Sequence, residues 1–337
     1  STAMIFGLVS LMFLDTSINM AMQPFKMMVG DMVNEKQKGL AYSIQSFLCN
    51  AGSLVGFLFP FIFTWIGISN IAPQGVVPDS VIYSFYIGAA ILILCVIYTT
   101  VKVKEMPPAE YAEYHGITEE EEKEKINMVK LLVKAPKAFW TVGLVQFFCW
   151  FAFMFMWTYT NGSVAANVFD APTVETAVNG VSKVMLDTKS IQYQDAADWV
   201  GVLFAVQAIG SVLWAVCIPL FKDRKLIYSL SLVLGGLGFI STYFVHNQYV
   251  LFISFLLIGC AWAAMLALPF TILTNALSGG HMGTYLGLFN GTICIPQIVA
   301  ASLGGSILAL FTPKGMLPPE INMLVIIKET KGEQTKA

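Results

Sequence analysis

Long apolar runs limit how this sequence can fold. The run from Leu251 to Leu273 contains no charged residue on any side of the helix that it predicts. Soluble helices keep a polar face, whereas a helix needs roughly 20 apolar residues to cross about 30 Å of hydrocarbon. Eight such runs occur, near residues 2–25, 40–65, 81–101, 138–160, 198–221, 226–245, 249–273 and 284–311. They predict an all-α integral membrane protein with about eight complete transmembrane helices.

The charge content excludes several classes of protein. Charged residues make up 12% of the chain and hydrophobic residues 56%, with a net charge of -2, so we expect neither a soluble domain nor a nucleic-acid partner. The sequence shows no Ser/His/Asp set, metal-ligand cluster or phosphate-binding loop, so we expect neither an enzyme nor a cofactor. The six cysteines fall within the apolar runs without CxxC spacing, which favours a packing role over a metal site.

Lysine and arginine residues separate onto alternate loops, and this predicts the orientation because such residues are retained on the cytoplasmic side. One set of loops carries Lys26, Lys36, Lys38, seven lysines from Lys102 to Lys137, Lys222, Arg224 and Lys225. The opposite set carries Lys183, Lys189 and Lys314. The first set is therefore predicted to be cytoplasmic, and the loop at residues 161–198 external.

A charged stretch at residues 102–137 divides the apolar runs into three and five. We expect it to form a solvated amphipathic helix that links an N-terminal bundle (residues 1–101) to a C-terminal bundle (residues 138–337); a regulatory partner site is the alternative. The chain starts inside an apolar run, and Met323–Ile327 is too short to cross a bilayer. We therefore expect a fragment of a protein with two bundles of six helices, which is an arrangement typical of transporters.

A short internal repeat supports the division into two bundles. Gln23-Pro24-Phe25-Lys26-Met27 is predicted to close one inward span, and Leu268-Pro269-Phe270-Thr271-Ile272 another. Duplicated helical units are common where a substrate binds between the two repeats of a transporter.

Asp15 is the one ionisable residue predicted to lie deep in a span. An intramembrane acid indicates a functional site, because lipid favours its neutral form and a modest change in hydration then binds or releases a proton. Asn19 and Gln23 follow at i+4 and i+8, on the same helical face. The sequence predicts proton coupling at Asp15; a hydrogen bond to a neighbouring helix is the alternative.

Two other spans carry polar side chains suited to a ligand. In the second span, Gln45 and Asn50 are the best candidates, since Ser and Gly residues there serve helix packing. In the span after the linker, amide groups and indole rings are mixed at helical spacing, in Gln146, Trp150, Met154, Trp157 and Asn161. Sugars bind through hydrogen bonds to their hydroxyl groups and by stacking on aromatic faces. The pattern favours a sugar site, with helix packing as the alternative.

The first two spans also carry a family resemblance. The segment from Phe13-Leu14-Asp15 to Gly39, followed by Ala41-Tyr42-Ser43 and a Gly-rich span ending at Pro60, resembles the fourth and fifth helices of the sucrose and maltose/proton symporter group of the major facilitator superfamily. That group is related to the glycoside-pentoside-hexuronide/cation symporters. The matching positions are Asp15, Asn19, Pro24, Lys26 and Gly30-Asp31.

The resemblance continues along the chain, with two departures. Phe147–Asn161 is similar to the seventh helix, and Gly287–Gln297 to the eleventh. Lys26 replaces the usual Arg, and the basic loop motif is shortened to Lys222-Asp223-Arg224-Lys225.

The resemblance implies a major facilitator superfamily fold, with helices 4 to 11 of 12 present, that imports a disaccharide with protons by alternating access. It places proton coupling at Asp15 and Asn19. Substrate contacts are expected at Gln23, Gln45, Asn50, Gln146, Trp150, Trp157, Asn161, Gln207, Asn290 and Gln297, and gating at Lys26, Asp31, Asp223 and Arg224. The expected partners are the sugar, a proton and the lipid bilayer, for a monomer in a bacterial inner membrane or a plasma membrane. Sodium coupling, an exporter and a non-transporting sensor are the alternatives.

Overall fold

The computed structural model describes residues 2–68, 79–104, 128–178, 181–277 and 282–311, together with positions 107, 110 and 113. The structure is mainly helical. Its elements are α1 (Thr2–Met32), α2 (Glu35–Trp65), α3 (Asp79–Lys102), α4 (Met128–Val133), α5 (Lys137–Asn167), β1 (Thr173–Val178), β2 (Val181–Leu186), α6 (Ile191–Cys217), α7 (Arg224–Phe244), α8 (Leu251–Ala276), α9 (Met282–Phe289) and α10 (Gly291–Phe311).

Seven spans within the described residues are long and apolar enough to cross a membrane. They coincide with seven of the eight predicted runs. The eighth run, residues 40–65, lies in α2, which is outside that set of seven but has 31 residues and exceeds the length of a membrane crossing. The predicted all-α membrane class is confirmed.

One predicted span is interrupted, and one predicted loop boundary is wrong. The last run, 284–311, is a single candidate span from Gly283 to Ile307, in which a turn at Asn290 separates α9 from α10. The external loop is shorter than residues 161–198, since α5 continues to Asn167 and α6 begins at Ile191. Apolar content places a span but does not mark where its helix stops.

The sequence-based prediction also missed a β-hairpin in that loop. Strands β1 and β2 pair antiparallel from Thr173↔Leu186 to Val178↔Val181. The base of the hairpin is fixed by the amide of Asp187, which donates to the Pro172 carbonyl at 2.8 Å. Ala171, next to β1, is buried in the same apolar cluster as the outer parts of α5 and α6. The base of the hairpin therefore packs against the helices.

Helix α8 is the most buried element, and α6 and α7 pack along it. The main chains of α8 and α6 are in direct contact. A Cβ added at Gly210 of α6 would lie 2.6 Å from the Leu256 carbonyl oxygen of α8, and a Cβ added at Gly259 of α8 would collide with the Gln207 carbonyl oxygen of α6. Small residues let membrane helices approach this closely, since lipid provides no hydrophobic force between them. Helix α2 crosses over and packs on both α6 and α8.

Helix α1 lies at the edge of this assembly. From Ile5 to Phe25, the residues whose burial is described are exposed or half-buried. The first repeat segment closes its membrane span as predicted, since that span runs from Ile5 to Lys26, and the second lies near the end of the span from Leu251 to Ala276. The helices themselves do not stop at the prolines: Pro24 lies inside α1 and Pro269 inside α8, and both helices continue for about two further turns. Most of the predicted cytoplasmic linker lies outside the described residues, apart from α4 and its surroundings.

Candidate functional site

A cavity of about 270 Å³ lies where α2, α5, α6 and α8 meet. It is lined by Asn50, Ser53, Phe57, Trp157, Phe204, Gln207, Ala208 and Trp262. Three of these residues, Asn50, Trp157 and Gln207, were predicted from the sequence to contact a substrate. The lining combines two amide groups with two indole rings and two phenyl rings, which suits a small polar molecule with apolar faces.

Asn50 is fixed in the wall of this cavity. Its side-chain Nδ2 donates to the Ser46 carbonyl at 2.7 Å, and the Ser46 hydroxyl donates to the Ala263 carbonyl of α8 at 3.1 Å. The Asn50 Oδ1 atom is buried and has no hydrogen-bond partner among the residues that the structure describes. Leaving such an acceptor unpaired is unfavourable, so a ligand hydroxyl that donates to Oδ1 would remove that cost.

Three indole rings meet beside the cavity. The ring of Trp262 lies 5.4 Å from that of Trp150 and 5.4 Å from that of Trp157, both in edge-on arrangements. Trp262 was missed by the sequence analysis because a single Trp in a wholly apolar helix gives no signal of its own. Trp150, which was also predicted to contact substrate, packs against the other two rings, and within the described part of the chain its buried indole N–H has no partner.

Gln207 lies where α6 comes closest to α8. Gly259 of α8 faces the main chain of α6 at Gln207 and Ser211. Because the two backbones are in direct contact, the Gln207 main chain is held in place while its side chain borders the cavity. On the other wall, the Phe57 and Phe204 rings are stacked with their centres 6.0 Å apart.

The remaining predicted ligand residues lie elsewhere. The fully buried Gln146 donates from Nε2 to the Met265 carbonyl at 3.0 Å, so it bonds to protein. Gln45, Asn161 and Asn290 each hold one buried polar side-chain atom without a partner, but none of them lines the cavity. Gln297 is half-buried on α10, and the side chain of Gln23 is outside the described part of the structure.

Asp15 is exposed on α1 and is not among the residues that line the cavity. Its predicted partner Asn19 donates to the Asp15 main-chain carbonyl at 2.9 Å. The carboxyl group is near enough to Cys294 of α10 for electrostatic interaction. Helix α1, which carries Asp15, also contacts α9, the short helix that precedes α10.

The predicted gating residues form contacts near the start of α2, away from the part of that helix that lines the cavity. The buried Lys26 has its Nζ atom 4.2 Å from the centre of the Phe270 ring, so the two copies of the internal repeat touch each other. The Tyr42 hydroxyl donates to the Lys26 carbonyl at 3.3 Å, and its ring lies 6.1 Å from that of Phe270. These rings belong to an apolar cluster that joins α2, α5, α8, α9 and α10.

The shortened basic motif also contacts α2. The guanidinium group of Arg224 lies directly against Gly39, where a larger residue would have no room. Asp223 caps α7, its Oδ1 accepting from the amides of Lys225 at 2.9 Å and Leu226 at 3.1 Å. The side chain of Asp31 is outside the described part of the structure.

A larger hollow of about 710 Å³ lies between one end of α5, the end of α7 and the start of α8. Its walls are mainly apolar, and none of the predicted site residues is among those lining it. The smaller cavity is the better candidate because it gathers amides and indoles from four helices.

A family model for the Major Facilitator Superfamily matches residues 3–185, over half of the chain. The chain belongs to the Major Facilitator Superfamily. No curated protein matches it. Membership of this superfamily and the apolar helices make it a multi-pass integral membrane protein of a transporter family.

Proposed function

We propose that the protein is a secondary active transporter that imports a sugar, such as the disaccharides sucrose or maltose, together with protons. The observation that carries this proposal is the cavity in which Asn50 and Gln207 lie beside the indoles of Trp157 and Trp262. Sugars present hydroxyl groups at their edges and C–H groups on their ring faces, and amides and indoles bind these two kinds of surface.

The cavity is made by both halves of the chain. Asn50 belongs to α2, before the linker, and the other three residues belong to helices after it. A ligand held between the two halves is released when they rock relative to each other, which is how alternating access operates. The cycle needs a ligand whose affinity differs between the two conformations.

Asp15 is the proposed site of proton coupling. It is an acid within an apolar span, on a helix that packs against α9. The proton binds from the outside, sugar enters the cavity, and the contacts around Lys26 separate to release both into the cytoplasm. No covalent chemistry is required.

The test is uptake of labelled sucrose and maltose into proteoliposomes that contain the complete protein, under an imposed pH gradient. We expect accumulation against the concentration gradient, lost in Asp15→Asn and retained in Ser17→Ala. Ser17 is a suitable control because it lies on the same helix and its hydroxyl bonds only the Phe13 carbonyl. No accumulation of either sugar, or accumulation that Asp15→Asn leaves intact, would contradict the proposal. Uptake that follows a sodium gradient and ignores pH would assign sodium as the coupling ion.

A further inference from the structure

Helix α8 contains a proline that breaks its hydrogen-bond ladder. Pro269 has no N–H group, so it cannot donate to the carbonyl four residues earlier, at Met265. Met265 is 1% exposed, which leaves no water to replace the missing donor. In membrane helices such freed carbonyls are satisfied by neighbouring helices or by side chains.

The donor that replaces Pro269 comes from another helix. Gln146 of α5 is fully buried, and its Nε2 donates to the Met265 carbonyl at 3.0 Å. Its Oε1 atom has no hydrogen-bond partner among the described residues, and the side chain is held there by this bond and by packing. The Gln146 amide therefore completes the ladder of α8 at its one described proline.

The break at Pro269, where Gln146 supplies the missing donor, separates the part of α8 that lines the cavity from the part that contacts Lys26. On one side of it, Trp262 lines the cavity and meets the indoles of Trp150 and Trp157. On the other side, Phe270 follows Pro269 directly and receives the Lys26 ammonium group. A change of angle at the break would move Phe270 away from Lys26 while leaving Trp262 in place.

We propose that Gln146 is a positioning residue for the gate: by capping the Met265 carbonyl that Pro269 frees, it holds the Phe270 segment of α8 in the closed arrangement. This role rests on the gate around Lys26 that belongs to the proposed function, but it depends on neither the sugar nor the coupling ion. It also gives Gln146 a different task from the substrate contact predicted for it from the sequence.

The test measures the gate directly, without substrate. Spin labels are placed at Met32→Cys and Asn275→Cys, two exposed positions near the ends of α1 and α8, the helices that carry Lys26 and Phe270. The six native cysteines, all free thiols, are first replaced by alanine. Pulsed electron paramagnetic resonance of the full chain in nanodiscs then measures the distance between the two labels. The ratio of short to long label distances gives the ratio of closed to open molecules.

We expect Gln146→Leu to lower the ratio of closed to open molecules roughly tenfold, the scale of a buried acceptor left without its donor. Pro269→Ala restores an N–H group at position 269, so Met265 regains its donor within the helix. In that background, Gln146→Leu is expected to change the ratio less than about twofold. The matched control is Thr271→Val, which removes a hydroxyl whose one bond within the described residues is to the Ala267 carbonyl of its own helix, and it should leave the ratio unchanged.

Three results would overturn the proposal. One is an unchanged ratio in Gln146→Leu, and another is the same tenfold loss in the Pro269→Ala background. If Gln146→Leu alone does not fold, the double variant decides, because restoring the donor at position 269 should restore folding. A double variant that also fails to fold shows that Gln146 acts on something other than the Met265 carbonyl.

Discussion

The Lys26 ammonium group lies over the face of the Phe270 ring, 4.2 Å from its centre, and so joins α1 to α8 across the two halves of the chain. A desolvated cation over an aromatic face stabilises a contact by about 1 to 2 kcal/mol. Lys26 is only 8% exposed, so the interaction is at the stronger end of that range.

Replacing Lys26 should therefore loosen this end of the molecule. We expect Lys26→Met to raise amide hydrogen exchange around Phe270 roughly five- to thirtyfold, as measured by mass spectrometry in nanodiscs. Lys26→Arg keeps the charge and should behave as the unsubstituted protein, and Lys36→Met removes an exposed charge as a control. Equal exchange in Lys26→Met and the unsubstituted protein would show that the cation does not hold the gate.

Trp262 should contribute to sugar affinity. Removing its ring in Trp262→Ala takes away one aromatic wall of the cavity and the edge-on contacts with its two neighbouring indoles, and we expect the Kd to rise about tenfold, equivalent to about 1.4 kcal/mol. Trp262→Phe should recover part of the loss. Trp140→Ala is the control, because that ring is exposed on α5 and lies outside the cavity. Binding by isothermal titration calorimetry checks all three, and an unchanged Kd in Trp262→Ala would exclude the ring from the site.

Gly259 should tolerate no side chain. A Cβ there would collide with the Gln207 carbonyl and lie 2.8 Å from the Ser211 nitrogen, and main-chain atoms cannot rotate away. Gly259→Ala is expected to lower the free energy of unfolding by about 1 to 3 kcal/mol. Gly201→Ala on α6 has no neighbour within 4 Å of its added Cβ and should change stability by less than about 0.5 kcal/mol. Unfolding in detergent measures both, and equal stabilities would contradict the close contact.

Asp223 should stabilise α7 as its N-cap. Asp223→Ala removes the acceptor of two backbone amides, and we expect a loss of about 1 kcal/mol in the free energy of unfolding. Asp223→Asn retains an acceptor oxygen and should lose much less. Asp198→Ala is the matched control, since Asp198 is an exposed carboxylate within α6. If both alanine variants lose the same stability, charge and not capping is responsible.

The sequence predicted the helices well, since a run without charges has no other stable arrangement in lipid. It predicted less of the candidate site, which depends on contacts between distant positions. Met265 is the partner of Gln146 but lies 119 residues further along the chain, and no local pattern connects them. Trp262 likewise stands out only through its ring contacts with Trp150 and Trp157, which lie more than 100 residues earlier in the chain.

The hairpin differs from these long-range contacts, because a local sequence pattern does indicate it. Asn179 and Gly180 separate the two strands, and this dipeptide between alternating residues is the strongest short-range indication of a hairpin. The apolar runs on either side form a much longer pattern, which by itself predicts only a loop between two spans at this place.

That hairpin also offers a way to hold the molecule. Six residue pairs give it a defined shape, and its base is tied to α5 and α6 through Ala171 and Asp187. With the orientation predicted from the lysines, an antibody fragment raised against the folded hairpin would stain intact cells, whereas one raised against the α4 region would require permeabilised cells. The same fragment would add a rigid, water-soluble mass to a protein that otherwise lies largely within the lipid, which is what particle alignment in electron cryo-microscopy requires.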